Sequence, residues 1–295
     1  MKTTQTTLLF LLMVICQTSF AQGLNPLAPD PGSAAEIPGM KLVWDEEFNT
    51  KGRPNPDYWD FEKGFVRNEE LQWYQENNAM CNNGVLTIEG RREEVSNPNY
   101  QIDSHNWKTN REFAHYTSSS INTRGLKQWL YGRFEVRARI DTAMGAWPAI
   151  WTLGISNRWP SNGEIDMMEF YRVGNVPTIL ANVANGTSQP NVAKWHSEKI
   201  PLSEFTACDS LWVKKFHIWR MDWTKESIKL YLDDVLLNTT LLSETINPDG
   251  TNPFTNPQYI LLNLALGGNG GDPEKTIFPI KYEIDYVRVY HTVEK

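Results

Sequence analysis

The chain has 295 residues, a net charge of −7, 12 Trp and 11 Tyr. An acidic chain without a basic cluster is a poor partner for nucleic acid, and it disfavours a densely sulfated polymer, which it would repel. Beyond the first residues no apolar run approaches the roughly 20 residues that a membrane-spanning helix needs, so no transmembrane segment is expected.

In chain order, Lys2 followed by the apolar run Leu8–Cys16 and the small-residue site ending at Ala21 reads as a secretory signal peptide over residues 1–21. An exported protein in the periplasm, at the cell surface or outside the cell is therefore expected. A lipoprotein anchored through Cys16 is the competing reading, which the bulky Ile15 before that cysteine disfavours. Residues 22–39 are rich in Pro, Gly and Ala and read as a flexible leader. One catalytic domain over 40–295 should follow, because no repeat or second compositional regime interrupts it. Cys81 and Cys208 could pair in an exported protein, though nothing in the sequence requires it.

The body of the chain is built of short β runs. GVLTIEGRR, YGRFEVRARI, SIKLYLDDVLLN, YILLNLAL and YEIDYVRVY are bounded by Gly, Asn, Asp or Pro. In YGRFEVRARI, Phe134, Val136, Ala138 and Ile140 share one face and Arg133, Glu135, Arg137 and Arg139 the other, the pattern of a half-buried antiparallel strand. LSEF (Leu202–Phe205) could start a short helix. The fold class is all-β, a sandwich of two antiparallel sheets. Val95–His115 is a long polar stretch expected to form a rim over the substrate site.

Trp147 and Trp151 in GAWPAIWTLG, and Trp159 just before NGEID, lie close in sequence to a group of acids. Sugar rings present C–H faces that stack on indole, so Trp147 and Trp159 are candidate substrate-binding residues. Trp147 and Trp151 share parity, and one of the two is expected in the cleft and the other in the interior.

NGEIDMMEFY holds Glu164, Asp166 and Glu169. On a strand Glu164 and Asp166 share a face, whereas Glu169 would point the opposite way. One extra residue at Met167–Met168, a β-bulge, would return Glu169 to that face. Two Glu side chains could then approach the ~5–5.5 Å of a retaining glycosidase. Their mutual repulsion would hold a proton on one acid while another stays ionised. Glu164, Asp166 and Glu169 are therefore the candidate catalytic residues. His105, His115, His196, His217 and His291 show no metal-ligand spacing.

GEIDMMEF resembles the bulged signature of glycoside hydrolase family 16. The resemblance extends through LVWDEEFN, RNEELQWYQENNAMCNNGVLTIEGRRE, YTSSSINTRGLKQWLYGRFEVRARI, GAWPAIWTLG, FHIWRMDWTKESIKLYLDDVLL, LLNLALGGNGGDP and IDYVRVY, in family order. It implies a concanavalin-like jelly roll with a concave substrate cleft and an endo-acting, retaining hydrolase of β-linked polysaccharides, needing no cofactor for catalysis and expected as a monomer. Glu164 resembles the nucleophile, Glu169 the acid/base and Asp166 the assisting carboxylate. Asn68 and Asn263 match positions facing the glycone side. Asp285, with the Gly84 carbonyl, matches a structural calcium site of some members. The bulged form is similar to that of laminarinases, which cut β-1,3 or mixed β-1,3/1,4-glucans. The alternatives are an endo-β-galactosidase of agar-type or mucin-type chains and a non-catalytic carbohydrate-binding protein. One departure weakens the glucan assignment: Ala184 of TILANVANGT stands where laminarinases usually carry a histidine.

Overall fold

The computed structural model describes residues 24–32, 34 and 36–293. The expected signal peptide and the Cys16 lipidation site lie outside the described residues.

The predicted β runs form two large antiparallel sheets. One runs Val235–Leu241, Ser227–Leu232, His217–Trp223, Gly132–Arg139, Ile280–Thr292, Val85–Gly90, Ala79–Asn82, with Met40–Glu46 also paired to Ile280–Thr292. The other runs Ala193–Pro201, Val176–Gly186, Glu164–Val173, Ala146–Gly154, Gln258–Leu266, Ser120–Asn122, Asp60–Phe61. Hairpin-linked runs at the sheet edges are joined to strands distant in sequence, such as Gly132–Arg139 beside Ile280–Thr292 and Ala146–Gly154 beside Gln258–Leu266, as in a jelly roll. SIKLYLDDVLLN proves to be two strands rather than one. Asp233 and Asp234 both take positive φ, 46° and 67°, which is the backbone of a two-residue hairpin turn. LSEF starts the short helix Leu202–Cys208.

The inner faces of the two sheets enclose one apolar core. Phe134, Val136 and Ala138 enter it from the first sheet as alternation requires, and Ile165, Phe170, Ile260 and Leu262 from the second. The opposite face of Gly132–Arg139 departs from expectation. Glu135 and Arg137 are buried, not solvated. Glu135 sits among Arg133, Arg220 and Arg288, and Arg137 is covered by the segment at residues 24–32, which lies against this face and is not the free leader expected from its composition. The Asn25 and Ala28 carbonyls accept hydrogen bonds from Arg137 at 2.8 and 3.0 Å. Pro26 accepts from the Phe216 amide at 2.7 Å, and the Asp30 carboxylate accepts from Arg288 at 3.2 Å. Asp285 and Glu47 each pair with one of these buried guanidiniums, Arg137 and Arg288, and this segment supplies further acceptors for the N–H groups that remain.

The same network corrects the calcium expectation. The Asp285 carboxylate is paired with the Arg137 guanidinium and also accepts the Asp30 amide. A cation beside it would meet the Arg137 charge. Gly84, at φ 75°, sits in the tight turn joining Ala79–Asn82 to Val85–Gly90, and no cluster of three acidic, His or Cys ligands occurs among the described residues. The residues present do not fit a metal here. The Cys81–Cys208 pairing is also not formed: Cys81 is a free, buried thiol whose pKa burial pushes up to about 12.

Candidate active site

The strand Glu164–Val173 crosses the middle of the second sheet between Ala146–Gly154 and Val176–Gly186. Gly163 sets its entry: φ is 76°, and a Cβ there would lie 2.8 Å from Pro253 and 2.9 Å from Phe254. Only glycine fits that approach without strain. On one side the register runs Trp151 opposite Asp166 and then Ile150 opposite Met168, which leaves Met167 unpaired. On the other side Asn182 faces Asp166 and Leu180 faces Glu169, so Met167 and Met168 together oppose Ala181. This is the β-bulge expected from the sequence. Both methionines are buried in the core, and Glu169 returns to the face that carries Glu164 and Asp166.

All three acids line a cleft of about 840 Å³, within the range of binding sites for small molecules. Each has a defined donor. Trp159 Nε1 donates to Glu164 Oε2 at 2.6 Å, and Trp147 Nε1 donates to Glu169 Oε1 at 2.7 Å. Asn182 Nδ2 donates to both Asp166 Oδ2, at 2.9 Å, and Glu169 Oε2, at 3.2 Å. That one amide therefore holds two carboxylates within two hydrogen-bond lengths of each other.

Burial raises the pKa of every member of the trio. Glu169 reaches about 7, because burial outweighs the Trp147 hydrogen bond that favours its ionised form, and the charges of Glu164 and Glu70 add to the rise. Asp166, fully buried and facing the charges of Glu164 and Glu169, is raised well above the usual carboxylate range. Glu164 is also raised by burial, against the opposing hydrogen bonds from Trp159 and Asp166. Asp166 thus holds a proton and donates it in a hydrogen bond to Glu164, which favours the Glu164 carboxylate.

The expected binding residues are also in the cleft. Trp147 and Trp159 line it, as do Asn68 and Asn263. Trp151 lines it too, contrary to the expectation that one of Trp147 and Trp151 would face the interior. Equal parity places both on one face of a strand whose other face already fills the core. A polar chain ties this side together: Trp151 Nε1 donates to Asn263 Oδ1 at 2.7 Å, and Asn263 Nδ2 donates to Tyr74 Oη at 3.1 Å. Tyr74 in turn donates to Glu70, which also accepts from Asn68 at 3.2 Å. The Arg67 guanidinium lies 5.0 Å from the Trp151 ring.

The stretch Val95–His115 includes a hairpin, Val95–Ser96 against Phe113–Ala114. Arg111, at its base, donates to the Glu70 carbonyl at 2.9 Å and stacks on Phe65 at 3.7 Å. The segment is thereby fastened behind Glu70, and none of its residues is among those lining the cleft.

Sequence reasoning did not single out Arg67, Glu70, Tyr171, Asn182, Trp195 or Lys199, all of which line the cleft. Asn182 could have been found by pairing TILANVANGT with the acidic strand. That register depends on the bulge, which shifts it by one residue.

Comparison with known proteins agrees with this geometry. The profile of Glycosyl hydrolases family 16 matches residues 68–288. The chain is 34% identical over 293 residues to a beta-glucanase of Rhodothermus marinus, with 92% of each chain covered. Among solved structures, an endo-acting O-glycanase of the human gut microbiota, associated with the initiation of mucin breakdown, superposes with a TM-score of 0.78 at 34% identity, covering 88% of this chain and 94% of that one. The laminarinase catalytic domain of Thermotoga maritima superposes with a TM-score of 0.70 at 30% identity, covering 86% and 99%.

Proposed function

The chain belongs to glycosyl hydrolases family 16 and is an endo-acting glycoside hydrolase, and from that premise we propose that it cleaves a β-1,3 or mixed β-1,3/1,4-glucan with retention of configuration. The observation that carries the mechanism is the return of Glu169, by the Met167–Met168 bulge, to the face of Glu164 and Asp166.

Glu169, protonated through most of the range below pH 7, donates its proton to the glycosidic oxygen as the bond to the leaving sugar breaks. Glu164, kept ionised by the proton that Asp166 holds and by the Trp159 indole, attacks the anomeric carbon and forms a glycosyl ester. Glu169, now ionised, takes a proton from water, which attacks the same carbon and releases the second product. Asp166 does not touch the sugar. It sets the charge of Glu164. Trp147, Trp151 and Trp159 offer indole faces for stacking, and Asn68 and Asn263 offer amides to ring hydroxyls.

An endo-β-galactosidase of mucin-type or agar-type chains is the second reading. Two observations favour it: the O-glycanase structure superposes well, and Ala184, not a histidine, faces Glu164 across the sheet. Export as a monomer is part of the same proposal, and the apolar run Leu8–Cys16 supports the export. Incubation with laminarin, mixed-linkage glucan, agarose and mucin, with the products resolved, tests the assignment. Oligosaccharides from laminarin or mixed-linkage glucan support the glucan reading. Products from agarose or mucin alone replace it with the galactan reading, and no product from any polymer overturns both.

A further inference from the structure

The cleft has a second wall that the mechanism above does not use. It is formed by Val176–Gly186 and the edge strand Ala193–Pro201. The register sets three rows across it. Glu164 faces Ala184, which faces Trp195; Asp166 faces Asn182, which faces Ser197; Glu169 faces Leu180, which faces Lys199. Trp195, Ser197 and Lys199 all line the cleft. They lie two strand spacings from the acids, about 10 Å. Ala184, buried between Glu164 and Trp195, contributes only a methyl group to this row.

Three properties of this wall point to one kind of ligand. Trp195 is 45% exposed although it faces a cleft, so its indole is available to the C–H face of a sugar. Lys199 is exposed and has no ion-pair or hydrogen-bond partner among the described residues. The other cleft cation, Arg67, is already paired with Glu62. The remaining charged groups lining the cleft are Glu70, Glu164, Asp166 and Glu169, so the Lys199 end is where an anion meets an unpaired positive charge.

We propose that Trp195, Ser197 and Lys199 form a subsite for a sugar that carries one anionic substituent, a carboxylate or a sulfate ester, beside the bond that is cut. Trp195 stacks on the ring, Ser197 offers a hydroxyl and Lys199 pairs with the anion. The chain charge of −7 selects a sparsely charged glycan over a dense polyanion. This inference rests on the glycoside hydrolase reading of the same cleft and adds a discrimination to it.

The test compares matched probes: laminarin with lightly sulfated and lightly carboxymethylated laminarin, and mucin glycans before and after removal of sialic acid and of sulfate. Wild type, Lys199→Gln, Lys199→Arg and Trp195→Ala are each assayed. For the acidic member of the pair that wild type cleaves, Lys199→Gln should raise KM roughly tenfold with little change in kcat, as loss of one charge-assisted contact predicts. Lys199→Arg should restore most of the loss, neutral probes should be unaffected by either change, and the wild-type advantage on acidic probes should fade with added salt. Trp195→Ala should weaken acidic and neutral probes alike. The sulfated and carboxylated arms show which anion is preferred. Equal kinetics of wild type and Lys199→Gln on acidic probes overturns the inference while leaving the hydrolase reading intact. If wild type cleaves none of the probes the laminarin and mucin assignments fall, and calorimetric binding to Glu164→Gln with and without Lys199→Gln decides the subsite. A preference for acidic probes that is lost with Lys199 supports it, and no preference overturns it.

Discussion

Trp147 Nε1 and Glu169 Oε1 are joined by a 2.7 Å hydrogen bond inside the cleft. The indole stabilises the ionised carboxylate, yet the Glu169 pKa still lies at about 7 because burial opposes it more strongly. The balance between these two effects sets the pH at which the proposed acid loses its proton. Trp147→Phe removes the donor and keeps an aromatic face. The alkaline limb of the kcat/KM profile, near pH 7 in wild type, should move up by ~1–2 units, the worth of one hydrogen bond to a charged group. A limb that stays in place or moves down would show that Glu169 is not the group it reports.

Glu169 also links stability to pH. Its folded pKa is raised from the usual 4.5 to about 7. Between those values the folded protein holds a proton that the unfolded chain releases, so stability declines as pH rises through this window. Above pH 7 the full cost, up to about 3 kcal/mol, is present. Glu169→Gln should therefore melt higher than wild type at pH 8 and by little or nothing at pH 4, while losing activity. Equal melting shifts at both pH values, measured by scanning calorimetry, would contradict the burial argument.

The bulge can be tested by length. Deleting Met168 gives a regular strand with Glu-x-Asp-x-Glu, in which strict alternation still keeps the last Glu on the cleft face. That variant should fold and keep impaired hydrolysis. Inserting one residue after Met168 turns the Glu toward the core, where Met167 and Met168 now pack. Activity should vanish and the melting temperature fall, because a carboxylate is buried without a partner. Harmless insertion with lethal deletion would refute the role of the bulge.

Much of this architecture was legible from short-range pattern. Alternation in YGRFEVRARI gave the strand and its core face, and the spacing in NGEIDMMEFY required a bulge that the register then displays. What escaped depends on contacts between distant segments. Arg137 reads as a solvated residue until residues 24–32 are seen to lie over it, and a Pro-rich stretch carries no pattern that reports where it docks. Asp285 reads as a calcium ligand by resemblance, but its partner is Arg137, 148 residues away. Asn182 becomes a partner of two acids only through sheet register.

The docked segment makes a prediction of its own. Removing residues 1–32 takes the Asn25, Ala28 and Asp30 oxygens from Arg137 and Arg288, leaving each guanidinium with its carboxylate partner, Asp285 or Glu47, and without these further acceptors. At about 1–3 kcal/mol for each lost charged contact, the melting temperature should fall by roughly 5–10 °C. Chelation of calcium from the intact chain should shift it by less than about 1 °C. An unchanged melting temperature after truncation would show that the segment does not hold the sheet.

The central claim is that Glu164 and Glu169 act from one face as nucleophile and acid/base, and the anomeric configuration of the first product tests it most directly. Proton NMR of a reaction on the polymer that the enzyme cleaves, recorded before mutarotation, should show the β-anomer appearing first and the α-anomer growing in later. An α-anomer formed at the outset would mean a single displacement by water across a wider gap between the acids, and would contradict the double displacement through Glu164.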